Sequence, residues 1–372
     1  MKKIASDIIK KHKINDSFYI VSMNKLNKKI NNWYKFFPDI QPYYAIKSNP
    51  DINVIKHMSS KGLGFDCATM NEISKVLKIG SEKIIFSHTV KKVEDLIFAS
   101  RHNIKYTTFD SFCEIKKINK YTPNMNCLIR LKIDNPKAKV QLGTKYGVEE
   151  NEYKQIIDEC KKLNINLSGI SFHVGSDNQD PYIFKNAFEF CNKVIEYSQQ
   201  KNYNINIIDI GGGFNKYNYI TSSKVINNEI KKNIKKHKNI KYVAEPGRYF
   251  SEEIFTFFTP IIGMKEKNNQ HYYWITDSLY GSFNCIIYDN QNPSFDILRN
   301  PLLDKNYSNT LCKSTIYGLS CDSIDVIKEN TEIPLLRLND FLMVNNFGAY
   351  TISGSCNFNG LQMSKPKIFY VY

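Results

Sequence analysis

Short strand-like runs alternate with helix-like segments between residues 43 and 244, and this rhythm limits the folds open to the chain. Helical patterns fill the gaps between the runs, as at 183–195, where apolar residues recur at the spacing of one helix face. Eight βα repeats predict a parallel (β/α)8 TIM-like barrel, with an open doubly wound sheet as the alternative. The eight predicted strands are 43–46, 64–67, 83–87, 105–109, 127–133, 167–174, 205–210 and 241–244.

The pattern changes after Pro260, where predicted strands follow one another without helices between them. We therefore expect an α/β chain in which a barrel over residues 23–255 is followed by a mainly β domain over residues 256–372. A short helix and a strand at 17–22 precede the barrel, and we expect this strand to join the C-terminal sheet, so that residues 1–22 complete the second domain. The C-terminal strands are predicted at 272–276, 315–317 and 341–344.

Composition excludes several classes of protein. The longest apolar run, near 254–262, is too short to cross a bilayer, and the lysine-rich N-terminus has no apolar signal segment. Nine cysteines without metal-ligand spacing fit a reducing compartment, so we expect a cytoplasmic protein that binds no metal. The net charge of +15 raises the question of nucleic acid, but the lysines are scattered and no binding motif accompanies them. We therefore expect neither a nucleic-acid nor a membrane partner.

Residues that can carry chemistry gather where the predicted barrel strands end. Active sites of (β/α)8 barrels lie at the carboxyl ends of the strands, so these side chains are expected to share one rim. They include a lysine at the end of the first strand, a histidine within the sixth and an acid after the eighth. In chain order they are Lys47, Asp66, Arg130, His173, Ser176, Asp209, Gly211, Gly212, Gly213, Glu245, Gly247 and Arg248.

Three consecutive glycines after a buried strand leave backbone N–H groups able to approach an anion, although glycines also make tight turns. Arg248 and Ser176 at neighbouring strand ends favour a phosphate as that anion. Lys47 follows an apolar segment, 43–46, that would seat its amine inside the rim, where loss of water lowers the pKa and allows a Schiff base. A phosphate site beside such a lysine is what pyridoxal phosphate needs.

Glu245 and His173 complete the expected cofactor site. A carboxylate against the pyridine nitrogen keeps that nitrogen protonated, which strengthens electron withdrawal by the ring and favours decarboxylation. His173 would serve as a flat platform against the ring. The alternatives are a salt bridge between Glu245 and Arg248 and a packed core histidine at position 173.

Nine short motifs are distributed along the chain, and both their residues and their order are informative. Together they resemble the eukaryotic-type ornithine decarboxylases, which are basic amino-acid decarboxylases that depend on pyridoxal phosphate and have an alanine-racemase-like barrel. The resemblance covers nearly the whole chain. The motifs are YAIK at 44–47, GFDCA at 64–68, SFHVGS at 171–176, DIGGGF at 209–214, AEPGRY at 244–249, YGSFNC at 280–285, SCD at 320–322, GAYT at 348–351 and FNG at 358–360.

The resemblance implies roles for individual residues. It implies that Lys47 forms the Schiff base, that Glu245 faces the pyridine nitrogen, that His173 stacks on the ring, and that Cys321 returns a proton to the substrate α-carbon. Asp66 and Arg130 match pocket positions near the ring. The positions implied to bind the phosphate or its surroundings are Ser176, Gly211, Gly212, Gly213, Gly247, Arg248 and Tyr350.

The resemblance also implies a head-to-tail homodimer with shared active sites. In such a dimer Cys321 and Asp322 reach the partner's site, Phe358 packs near the interface, and Lys145 and Asp325 form an ion pair across it. The sequence departs from the family pattern at Leu319, where a proline is usual, and at 86–89, to which we assign no role.

Substrate choice depends on the segment Tyr288-Asp289. With Asp322, a short Asp289 side chain would hold the distal ammonium of L-ornithine, a basic L-amino acid, through charge-assisted contacts and yield putrescine. A surface turn is the alternative interpretation of Asp289. Decarboxylation of arginine or lysine and a non-catalytic regulator like the antizyme inhibitors are the other functions considered, while a racemase would carry arginine in place of Glu245.

Overall fold

The computed structural model describes residues 1–304, 306–363 and 365–372. Within these residues, no helix combines the length and the apolar character needed to cross a membrane. The helices are α1 Lys2–His12, α2 Met23–Phe36, α3 Ile52–Ser60, α4 Met70–Leu77, α5 Val93–Arg101, α6 Phe112–Tyr121, α7 Tyr153–Lys162, α8 Ile183–Gln200, α9 Tyr219–Lys236, α10 Arg248–Ser251 and α11 Cys285–Tyr288. Short 3-10 helices lie at Ile46–Ser48, Glu252–Ile254, Ser282–Asn284, Ile352–Gly354 and Phe358–Gly360.

Strands occur in both halves of the chain. They are β1 Phe18–Ser22, β2 Ile40–Ala45, β3 Gly64–Cys67, β4 Ile84–Phe86, β5 Tyr106–Phe109, β6 Asn126–Leu131, β7 Ala138–Val140, β8 Leu167–Phe172, β9 Ser176–Asn178, β10 Ile207–Asp209, β11 Lys241–Ala244, β12 Phe255–Lys267, β13 Gln270–Ile275, β14 Asp296–Leu298, β15 Leu311–Tyr317, β16 Val326–Pro334, β17 Phe341–Val344 and β18 Lys367–Val371. The chain divides into two compact units, one formed by Lys28–Phe250 and the other by Met1–Asn27 with Ser251–Tyr372.

The first unit, which we call the barrel unit, is built on a closed parallel barrel. Its strands follow the order β2, β3, β4, β5, β6, β8, β10 and β11, and β11 pairs back with β2. Closure confirms the (β/α)8 prediction and excludes the open doubly wound sheet. The short strands β7 and β9 lie outside this circuit and pair with each other in antiparallel fashion.

Side chains from different strands fill the barrel. Ile85, Leu128, Ile207 and Val243 form a buried cluster, against which two half-buried tyrosines pack. Gly169 makes room for this packing, because a Cβ atom there would lie 2.4 Å from Cγ2 of Ile207. A barrel interior filled in this way is a core rather than a channel, so chemistry belongs at the rim.

The second unit, which we call the β unit, contains the mixed sheet of the remaining long strands. Its strand order is β14, β17, β12, β13, β15 and β16, with β1 paired to β12 and β18 paired to β1. Strand β1 pairs antiparallel with β12 and parallel with β18, which confirms that the N-terminal strand completes the C-terminal sheet. Helix α1 buries Ala5 and Ile9 in the core cluster that also contains Phe18 and Phe258.

Two predicted strands of the barrel end earlier than expected. Strand β8 ends at Phe172, because Gly175 turns the chain with φ 92° and its N–H donates to Nδ1 of His173 over 2.9 Å. Strand β2 ends at Ala45, and Lys47 lies in the 3-10 turn that follows. His173, which was predicted within a strand, and Lys47, which was predicted at the end of one, therefore both lie just beyond the strands, on the rim.

Candidate active site

Lys47 lies beside Asp66 at the carboxyl ends of β2 and β3. Its Nζ is 3.4 Å from Oδ2 of Asp66, whose side chain is buried. The lysine side chain is 43% exposed. Because β2 ends at Ala45, Lys47 lies in the turn that follows the strand, on the rim. Desolvation of its amine stays a prediction.

The Asp66 carboxylate is held on its other oxygen by a residue of the segment to which the sequence assigned no role. The Ser87 hydroxyl donates to Oδ1 of Asp66, and the Ser87 carbonyl accepts from the Thr108 hydroxyl. The register of the parallel strands sets this arrangement, since Asp66 pairs with Ala45 on one side and with Ile85 on the other. Because Ser87 fixes one oxygen of this carboxylate, the other oxygen offers Lys47 a partner of defined position.

His173 is half-buried, and its imidazole is neutral. Burial, with further contributions from the positive charges of Lys47 and Arg130, holds the pKa of His173 well below its usual value. Nδ1 accepts the Gly175 N–H, which places the ring proton on Nε2. Nε2 faces Gly212, where a Cβ atom would lie only 2.8 Å away. A neutral, fixed, flat ring at the rim suits the platform predicted for position 173, although its role stays a prediction.

Two carboxyl groups lie at the ends of β10 and β11: the buried Asp209 is the last residue of β10, and the half-buried Glu245 follows β11. Burial raises the pKa of Glu245 well above its usual value, and the neighbouring Asp209 and Asp66 raise it further. Burial raises the pKa of Asp209 to about 7, against the opposing effect of the Gly211 N–H, which donates to Oδ1 over 2.9 Å. The sequence placed Asp209 at the rim, as an acid at the end of a barrel strand, but assigned it no role.

The glycine loop after β10 and the loop after β8 approach each other closely. Gly211 and Gly213 have φ of 66° and 97°, in the left-handed region that favours glycine. A Cβ atom at Gly213 would lie 2.7 Å from the Gly175 carbonyl oxygen, so a side chain there would collide with the neighbouring loop. Arg248 donates to the Ser176 hydroxyl over 3.2 Å. We call Ser176, Gly211–213 and Arg248 the phosphate cradle, because their donors and charge suit a phosphate.

Other predicted positions of the barrel unit lie around this rim. Gly247 is close to the turn that carries Lys47, since a Cβ atom at Gly247 would be 2.8 Å from Cβ of Ser48. The Arg130 guanidinium lies 5.0 Å from the centre of the Tyr146 ring, and Lys145 Nζ lies 5.1 Å from the same ring. The interface role of Lys145 stays a prediction.

In the β unit, Cys321 and Asp322 lie on a loop close to Tyr280. The Tyr280 hydroxyl donates to Oδ2 of Asp322 over 2.5 Å and holds the pKa of that carboxyl below its usual value. The Tyr280 ring stacks on Phe358 with ring centres 4.0 Å apart, and the Cys321 N–H donates to Oδ1 of Asn359 over 3.2 Å. Cys321 is exposed. Tyr280 stood within a recognised motif but was not predicted as a site residue.

The loop that carries Cys321 is held by Asp325, whose side chain is buried. Oδ1 accepts the Leu279 N–H over 2.8 Å. Oδ2 accepts the Ser278 hydroxyl and both the N–H and the hydroxyl of Ser320, over 2.8, 2.9 and 2.6 Å. These bonds occupy the acceptor positions of the carboxylate within its own unit. The ion pair of Asp325 with a partner's Lys145 therefore stays a prediction without support from these contacts.

The departure at Leu319 has a structural explanation. The Leu319 N–H donates to the Asp277 carbonyl oxygen over 2.9 Å, a bond that the proline usual in the family cannot make because it has no N–H group. This bond fixes the backbone two residues before Cys321.

Asp289 is buried, so the interpretation as a surface turn is wrong. Gln291 explains this burial, because its Nε2 donates to Oδ2 of Asp289 over 2.6 Å and to the Ala349 carbonyl oxygen over 2.9 Å. The same side chain thus connects Asp289 to the segment that contains Tyr350, which has a positive φ of 57°. Tyr288, in contrast, is 74% exposed.

Comparisons with known proteins agree with this geometry. Residues 23–252 match the family model described as pyridoxal-dependent decarboxylase, pyridoxal binding domain. The chain is 33% identical to a probable ornithine decarboxylase of Dictyostelium discoideum over 95% of its own length and 79% of that protein. It is 32% identical to ornithine decarboxylase of Mus musculus, with coverage of 96% and 80%.

Solved structures include a similar protein of viral origin. The arginine decarboxylase of Paramecium bursaria Chlorella virus superposes with a TM-score of 0.92 at 34% identity, and each chain is covered completely. The matched family model spans the barrel rim with its lysine, buried acids and phosphate cradle, and these residues fit pyridoxal phosphate. The chain therefore belongs to the ornithine decarboxylase family of pyridoxal-dependent decarboxylases.

Proposed function

We propose that this protein decarboxylates L-ornithine to putrescine and CO2 with pyridoxal phosphate as cofactor. The observation that carries the proposal is the buried Asp289 carboxylate, which Gln291 holds in one position. A short acidic side chain fixed in this way suits a distal ammonium group at the length of ornithine. The ornithine decarboxylases among the relatives support the same substrate.

The barrel unit supplies the residues that would hold the cofactor, and we propose residues 23–255 as the cofactor-binding domain. The phosphate cradle and Gly247, with Tyr350 from the β unit, would bind the phosphate group. Lys47 would bind the aldehyde carbon, and Asp66, Arg130, His173 and Glu245 would surround the ring. When bound, pyridoxal phosphate supplies a ring that withdraws electrons from the substrate α-carbon and so favours loss of CO2.

The chain's own residues orient the reactants and move protons. Glu245 would hold the ring nitrogen, since a positive charge placed against its carboxyl favours the charged form that burial otherwise opposes. His173, neutral and fixed at Nδ1, would pack against the ring face without adding charge. Asp66 would keep the Lys47 amine at the rim. Cys321 would donate a proton to the α-carbon after CO2 leaves, as an exposed thiol on a fixed loop can do.

Two acids would select the substrate. Asp289 and Asp322 would each accept a charge-assisted hydrogen bond from the distal ammonium, with Tyr288 beside them. The Tyr280 hydroxyl donates to Asp322 and lowers the pKa of that carboxyl further below its usual value. Local acids are needed here because the chain carries a net charge of +15. Screening confines the effect of distant charges to about 8 Å at physiological salt.

Arginine is the second candidate substrate, and the complete two-way match to the viral arginine decarboxylase favours it. Rates of CO2 release from ornithine, lysine and arginine, measured side by side with added cofactor, decide between them. We expect ornithine to give the highest kcat/KM, and Asp289→Glu to lower it by about tenfold to a hundredfold because the longer side chain shortens the space for the substrate. A higher kcat/KM for arginine in the unchanged protein would overturn the assignment.

A non-catalytic regulator is distinguished by the same experiment. Such a protein would release no CO2 from any of the three amino acids and would show no cofactor absorbance after purification.

We propose further that the protein is a cytoplasmic homodimer with shared active sites. Cys321, Asp322 and Phe358 would complete the partner's site, and Lys145 and Asp325 would lie near the interface. The exposure of Cys321 at a loop held by buried hydrogen bonds supports this proposal. Mixing inactive Lys47→Ala with inactive Cys321→Ala should restore activity, since a mixed dimer has one site with both residues intact. Persistent inactivity of a mixture shown to contain mixed dimers would contradict shared sites.

A further inference from the structure

Four buried asparagine side chains lie next to the phosphate cradle. They are Asn135, Asn178, Asn215 and Asn218, with exposed fractions of 5%, 0%, 2% and 8%. We call them the asparagine cluster. Amide side chains are seldom buried to this extent, and where they are buried they make specific hydrogen bonds. The question is what these bonds hold in place.

Asn218 connects the two loops that carry the cradle. Its Nδ2 donates one hydrogen bond to the Gly213 carbonyl oxygen over 2.8 Å and a second to the Asn178 carbonyl oxygen over 2.7 Å. Gly213 belongs to the glycine loop, and Asn178 belongs to β9, the strand that begins with Ser176. One amide group therefore joins the glycine side of the cradle to the serine side.

Asn215 and Asn218 also fix each other. Oδ1 of Asn218 accepts the Asn215 N–H over 2.9 Å, and Oδ1 of Asn215 accepts the Asn218 N–H over 2.9 Å. The Asn215 amide donates across to Oδ1 of Asp177, beside Ser176. The reciprocal bonds orient the Asn218 side chain before helix α9 begins, so its donors face both loops.

Asn135 and Asn178 hold the serine side of the cradle, which is the segment that follows β8. Nδ2 of Asn135 donates to the Val174 carbonyl oxygen and to Oδ1 of Asn178, each over 2.7 Å. Nδ2 of Asn178 donates to the Asp180 carbonyl oxygen over 2.9 Å. Both ends of the segment that contains Gly175 and Ser176 are thereby fixed to buried amides.

We propose that the asparagine cluster, and Asn218 in particular, positions the phosphate cradle, so that it contributes to phosphate affinity by acting through Gly213 and Ser176. The inference rests on the proposed function, because it takes the phosphate of pyridoxal phosphate as the anion in the cradle. The physical reason is preorganisation. Two loops with left-handed residues would otherwise have to be ordered when the anion binds, at a cost in affinity.

The test compares pyridoxal phosphate with pyridoxal, which lacks the phosphate group. Dissociation constants of both ligands are measured by fluorescence and equilibrium dialysis on the full-length protein and on Asn218→Asp. This variant keeps the size of the side chain but replaces two donors with acceptors that face two carbonyl oxygens. We expect affinity for pyridoxal phosphate to fall by about tenfold to a hundredfold, the loss typical of removing a group that orients a direct ligand. Affinity for pyridoxal should change by less than about threefold.

A second variant and a control distinguish a loss of phosphate affinity from misfolding of the protein. Asn135→Ala acts on the same cluster from the serine side and should lower the same affinity ratio. Asn166→Ala removes an exposed side chain that donates to Oδ1 of Asn126 over 2.8 Å, and it should leave both affinities unchanged.

Equal losses for both ligands in the two cluster variants would show a general structural role and overturn the inference. The inference is also overturned if the ratio of the affinities for pyridoxal phosphate and pyridoxal is the same in the variants as in the unchanged protein. Failure of the unchanged protein to bind pyridoxal phosphate more tightly than pyridoxal would instead contradict the proposed function.

Discussion

The barrel unit and the β unit position their candidate site residues by different means. In the barrel unit these residues follow successive parallel strands, and strand register alone brings Asp66 level with Ala45 and Ile85. In the β unit they lie on loops, where buried carboxyl groups collect hydrogen bonds from several segments, as Asp325 does from Ser278, Leu279 and Ser320. Backbone pairing places the residues at the ends of the barrel strands, whereas single polar side chains hold the loops, in the β unit as in the phosphate cradle.

This difference has a consequence for substitution. Removing a side chain at the barrel rim leaves the strands and their register intact, so the effect should fall on chemistry and not on stability. Removing a carboxyl group that holds a loop of the β unit leaves several buried donors without partners, so the effect should fall on stability first.

The largest effect expected in the barrel unit is a loss of chemistry without a loss of fold. Lys47→Ala should lower the rate of CO2 release from ornithine by about 10³-fold or more, because no other amine would bind the cofactor aldehyde there. The unfolding midpoint should stay close to that of the unchanged protein. Lys83→Ala serves as the control, since Lys83 Nζ makes an exposed hydrogen bond to the Gly62 carbonyl oxygen, two residues before β3. Activity that survives in Lys47→Ala would remove this residue from the scheme.

The largest effect expected in the β unit is the reverse. Asp325→Ala should lower the free energy of unfolding by about 3 kcal/mol, because it leaves the buried donors of Ser278, Leu279 and Ser320 unsatisfied. Urea denaturation followed by circular dichroism measures the change. The matched control is Asp296→Ala, whose exposed carboxylate accepts only from Asn345 in the described residues, over 2.9 Å. Comparable losses in the two variants would contradict the contrast between the units.

A smaller effect on activity should come from Tyr280. Tyr280→Phe removes the hydroxyl that donates to Asp322 and lowers the pKa of that carboxyl. In the variant the pKa of Asp322 rises, so the acid limb of the kcat/KM profile for ornithine should move to higher pH. At pH 7 we expect KM to rise by about fivefold with kcat nearly unchanged, since ground-state binding is lost. Tyr272→Phe, at a sheet position stacked on Tyr317, is the control and should leave the profile in place.

The smallest expected effect is on how the free energy of unfolding changes with pH, and it comes from a residue of the β unit. Burial raises the pKa of Asp277 to about 7, above its usual value of 3.8. The protonated form is therefore favoured by folding, and this contribution is complete below pH 4 and is lost as pH rises through 7. Asp277→Asn should flatten the fall in unfolding free energy over this range, by up to about 1 kcal/mol per pH unit. Denaturation curves at several pH values give the slope, and an unchanged slope would exclude Asp277 as its source.

Asp209 supplies the counterpart in the barrel unit, because burial also raises its pKa to about 7. Asp209→Asn should weaken the dependence of the unfolding free energy on pH for the barrel unit and leave that dependence unchanged for the β unit. Asparagine can still accept the Gly211 N–H through its carbonyl oxygen, so the glycine loop keeps one of its bonds.

Much of the site in the barrel unit could be predicted from the sequence. The period of the strands implies a closed barrel, and a barrel implies that Lys47, Asp66, His173 and Glu245 share one rim. The sequence could not show that β2 ends at Ala45, so that Lys47 lies in a 3-10 turn after the strand. Nor did it show that Ser87 would hold Asp66, because hydrogen bonds between strands depend on register and side-chain direction.

The sequence by itself determined the local patterns: the alternation that folds into a barrel, the glycines that can take left-handed conformations, and the motifs that identify the family. Only the tertiary structure decided which polar groups meet, as with Gln291 and Asp289, Tyr280 and Asp322, and the four asparagines around the cradle. Strand and turn preferences act between neighbours in the chain, whereas a buried hydrogen bond depends on segments that the fold brings together from far apart.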